Sequence, residues 1–222
     1  MVLTPSRRRI SLDKEQTVAG LGEHFLHKGR KMEKHIGEKP VRITRQIDRL
    51  HKQALSNVAK SVKRLRPRKV LDVGTGYGRG LKFLVRRFGK QSQIWSVDAS
   101  PEIVREVRKM MKEHKYSEHV TVKKANAERL PFESDHFDII LSLFSLHHLS
   151  NPKRGLSEMT RTLSKGGRLI IADWTPVAGA RLILHAQIDM PFPTMIAKEL
   201  TRLGCSTRNC YRRYWYLIEA TK

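Results

Sequence analysis

Apolar residues first recur at helical spacing near position 41. Ile43, Ile47, Leu50, Ala54, Val58, Val62 and Leu65 follow one another at steps of three and four, which predicts a helix over 41–65 with one buried face. Arg45, Arg49, Lys52, Lys60 and Lys63 fall mostly off that face. Pro67 ends the helix, because the residue before a proline is pushed out of the α region. Strand and helix patterns then alternate. Strands are predicted over 69–73, 93–97, 119–122, 137–143 and 168–172. The stretch FDIILSL (137–143) is apolar almost throughout, as in a strand buried on both faces. Helices fall between the strands, over 79–88, 101–114 with a proline in the first turn, and 151–163. Gly166–Gly167 reads as a turn. A helix over 195–203 and a strand pair within 206–220 complete the pattern. Repeated β–α units specify an α/β fold with a doubly wound parallel sheet.

Residues 1–40 follow a different pattern. They have little periodicity, several glycines (Gly20, Gly22, Gly29, Gly37) and many cations. They are expected to form a basic N-terminal helical extension that covers the substrate, its first dozen residues a mobile arm. The domain proper is then 41–222.

Charge adds a question about partners. The 222 residues carry 44 Lys and Arg against 21 Asp and Glu, a formal net charge of +23. Such a surface attracts polyanions: RNA, anionic lipid surfaces or negatively charged small substrates. Adaptation to a hot, salty or generally basic proteome is the plainer explanation. No apolar run reaches the roughly 18 residues of a membrane span, and the start MVLTPSRRRISLDKEQ is not a secretory signal. Cys205 and Cys210 make no disulfide framework, and no His/Cys spacing predicts a metal site. Reduced thiols and a cytoplasmic location are the expectation.

The candidate chemistry begins at VLDVGTGYGRG (70–80), where Gly74, Gly76, Gly78 and Gly80 alternate straight after a buried strand. A glycine turn there lies at the carboxyl end of the strands, where open α/β sheets bind ligands. The dinucleotide fingerprint G-x-G-x-x-G fails in both frames, meeting Arg79 or Leu81 where it needs glycine. What stands instead is Asp72-x-Gly74-x-Gly76-x-Gly78. With Asp98 in SVDAS (96–100), ANAERLPF (125–132) and the run from FDIILSLFSLHHLSNP to RLIIADW, this pattern resembles the class I S-adenosylmethionine-dependent methyltransferases. Its segment 125–132 is most similar to the ubiquinone and menaquinone biosynthesis subgroup. The resemblance covers about 60–222. It implies a Rossmann-like, seven-stranded, mostly parallel sheet with an antiparallel C-terminal strand.

The resemblance implies S-adenosylmethionine as cofactor and a set of site residues. Asp72, Gly74, Thr75, Gly76, Tyr77 and Gly78 form the loop against its methionine portion. Asp98, followed by Ala99, takes both ribose hydroxyls through a charge-assisted bidentate pair. Asn126 and Ala127 read the adenine edge. Asn126 replaces the usual acid, and its amide oxygen can still accept from an amino group. Ser142 and Leu143 line the cleft near the methyl group. Phe144, His147 and Trp174 form the acceptor pocket. His147, His148 and Asp173 are the candidates for proton transfer, which is needed only if the nucleophile arrives protonated. No metal is expected. The place after the fourth strand reads SLFSL (142–146). It lacks the (D/N)-P-P-(Y/F) pattern of amino methylators that act on adenine or glutamine amides. The reading favours a small or lipid-like acceptor. The alternatives are RNA or a nucleic-acid-associated protein, recruited by the basic surface, and a scaffold that binds without catalysis.

Overall fold

The computed structural model describes residues 41–89, 91–114, 116, 118–181 and 192–222. The basic extension expected over 1–40 lies outside these residues. The fold starts with helix α1 (Val41–Ser61). It ends four residues before the expected limit, and Val62–Leu65 turn toward Pro67. The predicted apolar face is real: Ala54, Val58 and Val62 are fully buried.

Strands and helices then alternate as β1 (Lys69–Val73), α2 (Arg79–Phe88), β2 (Gln93–Asp98), α3 (Pro101–Glu113) and β3 (Val120–Lys124). Ser100 caps α3, its Oγ accepting from the Ile103 N–H, with Pro101 preset for the first turn. There follow β4 (Phe137–Leu143), a 3-10 turn (Leu146–His148), α4 (Pro152–Thr162) and β5 (Leu163–Trp174). Helices α5 (Pro176–Arg181) and α6 (Pro193–Arg202) precede β6 (Ser206–Tyr211) and β7 (Trp215–Thr221).

The seven strands lie in the order β3-β2-β1-β4-β5-β7-β6. Pairs from β3 to β5 are parallel, while β7 runs antiparallel to both neighbours. β5 begins earlier than the pattern predicts. Gly166–Gly167 do not separate it from α4. They lie in an irregularity between the pairings Phe137↔Leu163 and Ile139↔Arg168, with Gly166 at φ 74°. One core cluster joins Leu71, Ile140, Ile171 and Ile218 of the sheet to Leu156 of α4 and Leu200 of α6. Asp138 is a structural acid: its Oδ2 accepts from the backbone N–H groups of Arg68 (2.6 Å) and Lys69 (3.0 Å), fixing the start of β1 against β4.

Because β1 and β4 are both central, the loops after them meet over the middle of the sheet. This is the crevice at which the strand order reverses.

Candidate active site

The four glycines of the 74–80 loop serve different ends. A side chain on Gly74 (φ +80°) would overlap the Cβ and Oγ of Ser145, which follows β4. Gly78 (φ +73°) starts α2 against the tip of Met110. A Cβ on Gly80 would come within 2.6 Å of Asp72 Oδ1. Only at Gly76 (φ +47°) does the missing side chain face open space, with nothing within 4 Å. Three glycines therefore fit the loop to the protein, and one leaves room beside it.

The loop is pinned from beneath. The N–H groups of Gly74 and Thr75 both donate to the Val97 carbonyl, at 2.9 and 3.0 Å. Ser145 Oγ donates to the Val73 carbonyl at 2.8 Å and lies 2.9 Å from Ser142 Oγ. Thr75 Oγ1 lies 2.5 Å from Ser96 Oγ, which donates to Asp72 Oδ2 at 2.7 Å.

This chain revises the place of Asp72. It was expected among the cofactor residues, but it is 1% exposed and sits behind the loop, under the first turn of α2. Burial raises its pKa to about 7; the Asp98 charge adds to the rise, and the Ser96 hydroxyl opposes it. Ser142 and Thr75 likewise have buried side chains that hold the loops together.

Asp98 stands at the end of β2, half-buried. Its Oδ2 accepts from the Gly76 N–H at 2.9 Å and its Oδ1 from the Ser100 N–H at 3.0 Å. A carboxylate has about four lone-pair sites, so each oxygen keeps capacity for one further donor. That is the requirement of a vicinal diol, and it lies beside the open space at Gly76. Tyr77, on the same loop, is 46% exposed, and Ala99 is exposed beyond Asp98. Asn126 is exposed, but its Oδ1 already accepts from the Glu128 N–H at 2.8 Å. The amide thus shapes its own turn, and a ligand would have to share that oxygen. Ala127 is half-buried.

The other half of the cleft is aromatic. Phe144 and Trp174 follow from the ends of β4 and β5, their rings 4.1 Å apart between centroids. Phe144 adopts φ 53°, a strained value for a bulky residue, held by its N–H donating to the Ala172 carbonyl at 2.7 Å. Leu143 beside it is buried. The third ring is His51 of α1, edge-on to Phe144 at 4.3 Å and to Trp174 at 5.0 Å. Its Nδ1 lies 3.0 Å from the Ile47 carbonyl and so carries the proton in the neutral ring. Burial and then the Arg79 charge lower its pKa to about 4. Arg79 in turn pairs with Asp48 of α1 at 2.6 Å, joining α1 to the start of α2.

His51 is the residue the sequence reading missed. Its signal was present, because it lies four residues after Ile47 and three before Ala54, a polar side chain on the buried face.

The expected proton-transfer residues have another setting. His147 Nδ1 lies 2.6 Å from Asp173 Oδ1, and the His147 N–H donates to Oδ2 at 3.1 Å. The Trp174 N–H also donates to Asp173 Oδ1, at 2.7 Å. Both His147 and Asp173 are buried. This pair locks the 3-10 turn to the end of β5. His148 is exposed, its ring 4.0 Å from that of His147. Among the described residues no group of His, Cys, Asp or Glu is arranged to hold a metal.

A Rossmann-like sheet in the order above places an acid at the end of β2 against an open glycine in the loop after β1, which is where open α/β sheets bind ligands. The comparisons show what the chain is similar to. Residues 71–171 match the family described as methyltransferase domain. The chain is 33% identical over 110 residues to the ubiquinone/menaquinone biosynthesis C-methyltransferase UbiE of Bordetella parapertussis, covering 50% of this chain and 42% of that protein. It is 28% identical over 155 residues to the protein of the same name from Psychromonas ingrahamii, covering 69% and 59%. The chain thus spans about half the length of the curated relatives it matches. Two solved structures share the fold. One is an S-adenosylmethionine-dependent methyltransferase of Aquifex aeolicus (TM-score 0.62, 23% identity, 83% of this chain and 98% of that one). The other is geranyl diphosphate C-methyltransferase of Streptomyces coelicolor (TM-score 0.69, 15% identity, 81% and 82%). Residues 71–171 are thus similar to the methyltransferase domain family, and the stretch around them to proteins named UbiE.

Proposed function

We propose that this protein transfers a methyl group from S-adenosylmethionine to a small or lipid-like acceptor held at the aromatic end of the cleft. The observation that carries the reading is the open space at Gly76 beside a carboxylate, Asp98, that keeps one acceptor site on each oxygen. The similarity to enzymes named for quinone biosynthesis supports the acceptor class.

In this reading Asp98 accepts the ribose hydroxyls, Gly74 to Gly78 line the methionine side, Tyr77 covers it, and Ala99, Asn126 and Ala127 flank the base. Bound there, the cofactor supplies a methyl group already activated on a sulfonium. The protein has then to align the acceptor and exclude water. Leu143, Phe144 and Trp174 provide an apolar wall for a planar acceptor, and the His147–Asp173 pair positions the loop that carries Phe144. His51, neutral and packed on that wall, takes the proton-acceptor role expected of His147 or His148. Asp72, Thr75 and Ser142 hold the loop from behind.

Transfer of labelled methyl from S-adenosylmethionine into a fractionated cell extract tests the reading, with Asp98→Asn as the blank. Label is expected in the solvent-extractable fraction. Label confined to an RNase-sensitive fraction would overturn the acceptor class and turn the basic surface into a substrate-binding device.

A further inference from the structure

Four of the five large hydrophobic side chains exposed among the described residues lie at the carboxyl end of the sheet: Tyr77, Val177, Phe192 and Tyr211. Val177 stands in the first turn after β5, and Tyr211 ends β6. The β6–β7 turn is fastened beside them, because the Thr175 N–H donates to the Tyr214 carbonyl (3.1 Å) and Thr175 Oγ1 to the Arg213 carbonyl (2.7 Å). Val177, Tyr211 and the exposed Arg212 and Arg213 therefore share one rim. The two guanidinium groups lie over rings, Arg212 6.0 Å from Trp215 and Arg213 5.4 Å from Tyr214.

Phe192 belongs to the same end by connectivity. It caps α6, which leads to the start of β6 at the opposite end. At 65% exposure it is the most exposed of these side chains. It lines a groove of about 470 Å³ between α4 and α6 together with Lys153, Lys198 and Arg202. The acid there, Glu199, is paired with Arg202 at 2.6 Å. Glu128, near the start of α4, is also engaged, accepting from the Asn151 N–H at 3.0 Å.

We infer that the rim formed by Val177, Phe192 and Tyr211 with Arg212, Arg213, Lys153 and Lys198 docks this protein on an anionic lipid bilayer, with the cleft mouth facing the lipid. Apolar side chains flanked by cations suit the boundary between headgroups and acyl chains, where the former insert and the latter meet lipid phosphates. Aliphatic Val177 offers no ring for stacking on bases, which nucleic-acid surfaces depend on. The choice of a lipid surface rests on the lipid-like acceptor proposed above. A lipid-like acceptor would then reach the Phe144–Trp174 wall without crossing water.

The test is sedimentation of the full chain with vesicles of phosphatidylcholine, with and without phosphatidylglycerol. Binding is expected only with phosphatidylglycerol and should weaken as salt rises. Arg212→Gln and Arg213→Gln should each weaken it about fivefold, and Phe192→Ser about tenfold. Calorimetric binding of S-adenosylhomocysteine by each variant shows that the fold and cofactor site are kept, so that a failed docking surface and a failed cofactor site are told apart. Absence of binding to the anionic vesicles would overturn the inference, as would rim variants that bind like the parent. Displacement from the vesicles by an equal mass of transfer RNA would assign the rim to nucleic acid and overturn it also.

Discussion

The Gly76 N–H donates to Asp98 Oδ2 at 2.9 Å, so the glycine loop and the strand-end acid form one unit before any ligand is considered. Asp98 therefore shapes the loop, and in the proposed reading it has a second task, accepting from a diol.

Those tasks separate by substitution. Asp98→Asn keeps one oxygen for a backbone donor and loses the charge, and should weaken S-adenosylhomocysteine binding by about 2–3 kcal/mol. Asp98→Ala removes the partner of both N–H groups, and should in addition lower stability by roughly 1–3 kcal/mol. Calorimetry and urea unfolding of the pair read the two effects; equal affinity in Asp98→Asn and the parent would show that another acid holds the ribose.

Neighbouring glycines should respond in opposite ways. Gly74→Ala forces a Cβ into Ser145 at a left-handed φ and should destabilise the fold by about 2–4 kcal/mol. Gly76→Ala meets no atom and should cost only about 1 kcal/mol of stability, while weakening cofactor binding at least tenfold. A Gly76→Ala protein that melts early yet binds normally would contradict this division.

The buried His147–Asp173 pair is a stability element. Asp173→Ala leaves the His147 ring and two backbone N–H groups without their acceptor and should cost roughly 3–5 kcal/mol, measured by denaturant unfolding. A loss under 1 kcal/mol would return Asp173 to the list of catalytic candidates.

Two buried groups give stability opposite dependences on pH. Asp72 titrates near pH 7 in the folded protein and near 3.8 unfolded. Between these values the folded state holds the extra proton, so its contribution is lost as pH rises from about 4 to 7. His51 titrates near 4 folded and 6.5 unfolded. There the unfolded state holds the extra proton, so its contribution is lost as pH falls from about 6.5 to 4. The two slopes oppose each other in the parent. Relative to it, Asp72→Asn should gain stability with rising pH over this window, and His51→Gln should lose it. Each difference should reach a few kcal/mol, on the order of 1.4 per pH unit. Parallel curves for all three proteins would refute both assignments.

Where packing follows spacing, the sequence predicted the fold closely: α2 and β4 begin and end where the apolar pattern does. β5 escaped because glycines at 166 and 167 look like punctuation, whereas the paired strand on either side absorbs them as an irregularity. The site divides along the same line. The place of Asp98 is legible because a strand end can be read from the pattern. The burial of Asp72 behind its loop is not, because alternation gives the face of β1 but not what α2 lays over it. His51 was overlooked because its meaning comes from Phe144 and Trp174, which approach only in the folded chain.

The contact between Ser145 Oγ and the Val73 carbonyl spans 72 residues of chain. The loop after β1 therefore gains this anchor only once β4 and the turn after it have left the ribosome, later than its anchors at Val97 and Asp98. Closing so long a connection is a late and slow event in a parallel sheet. If this loop holds S-adenosylmethionine as proposed, a fragment ending before residue 145 should bind it more weakly than the full chain does.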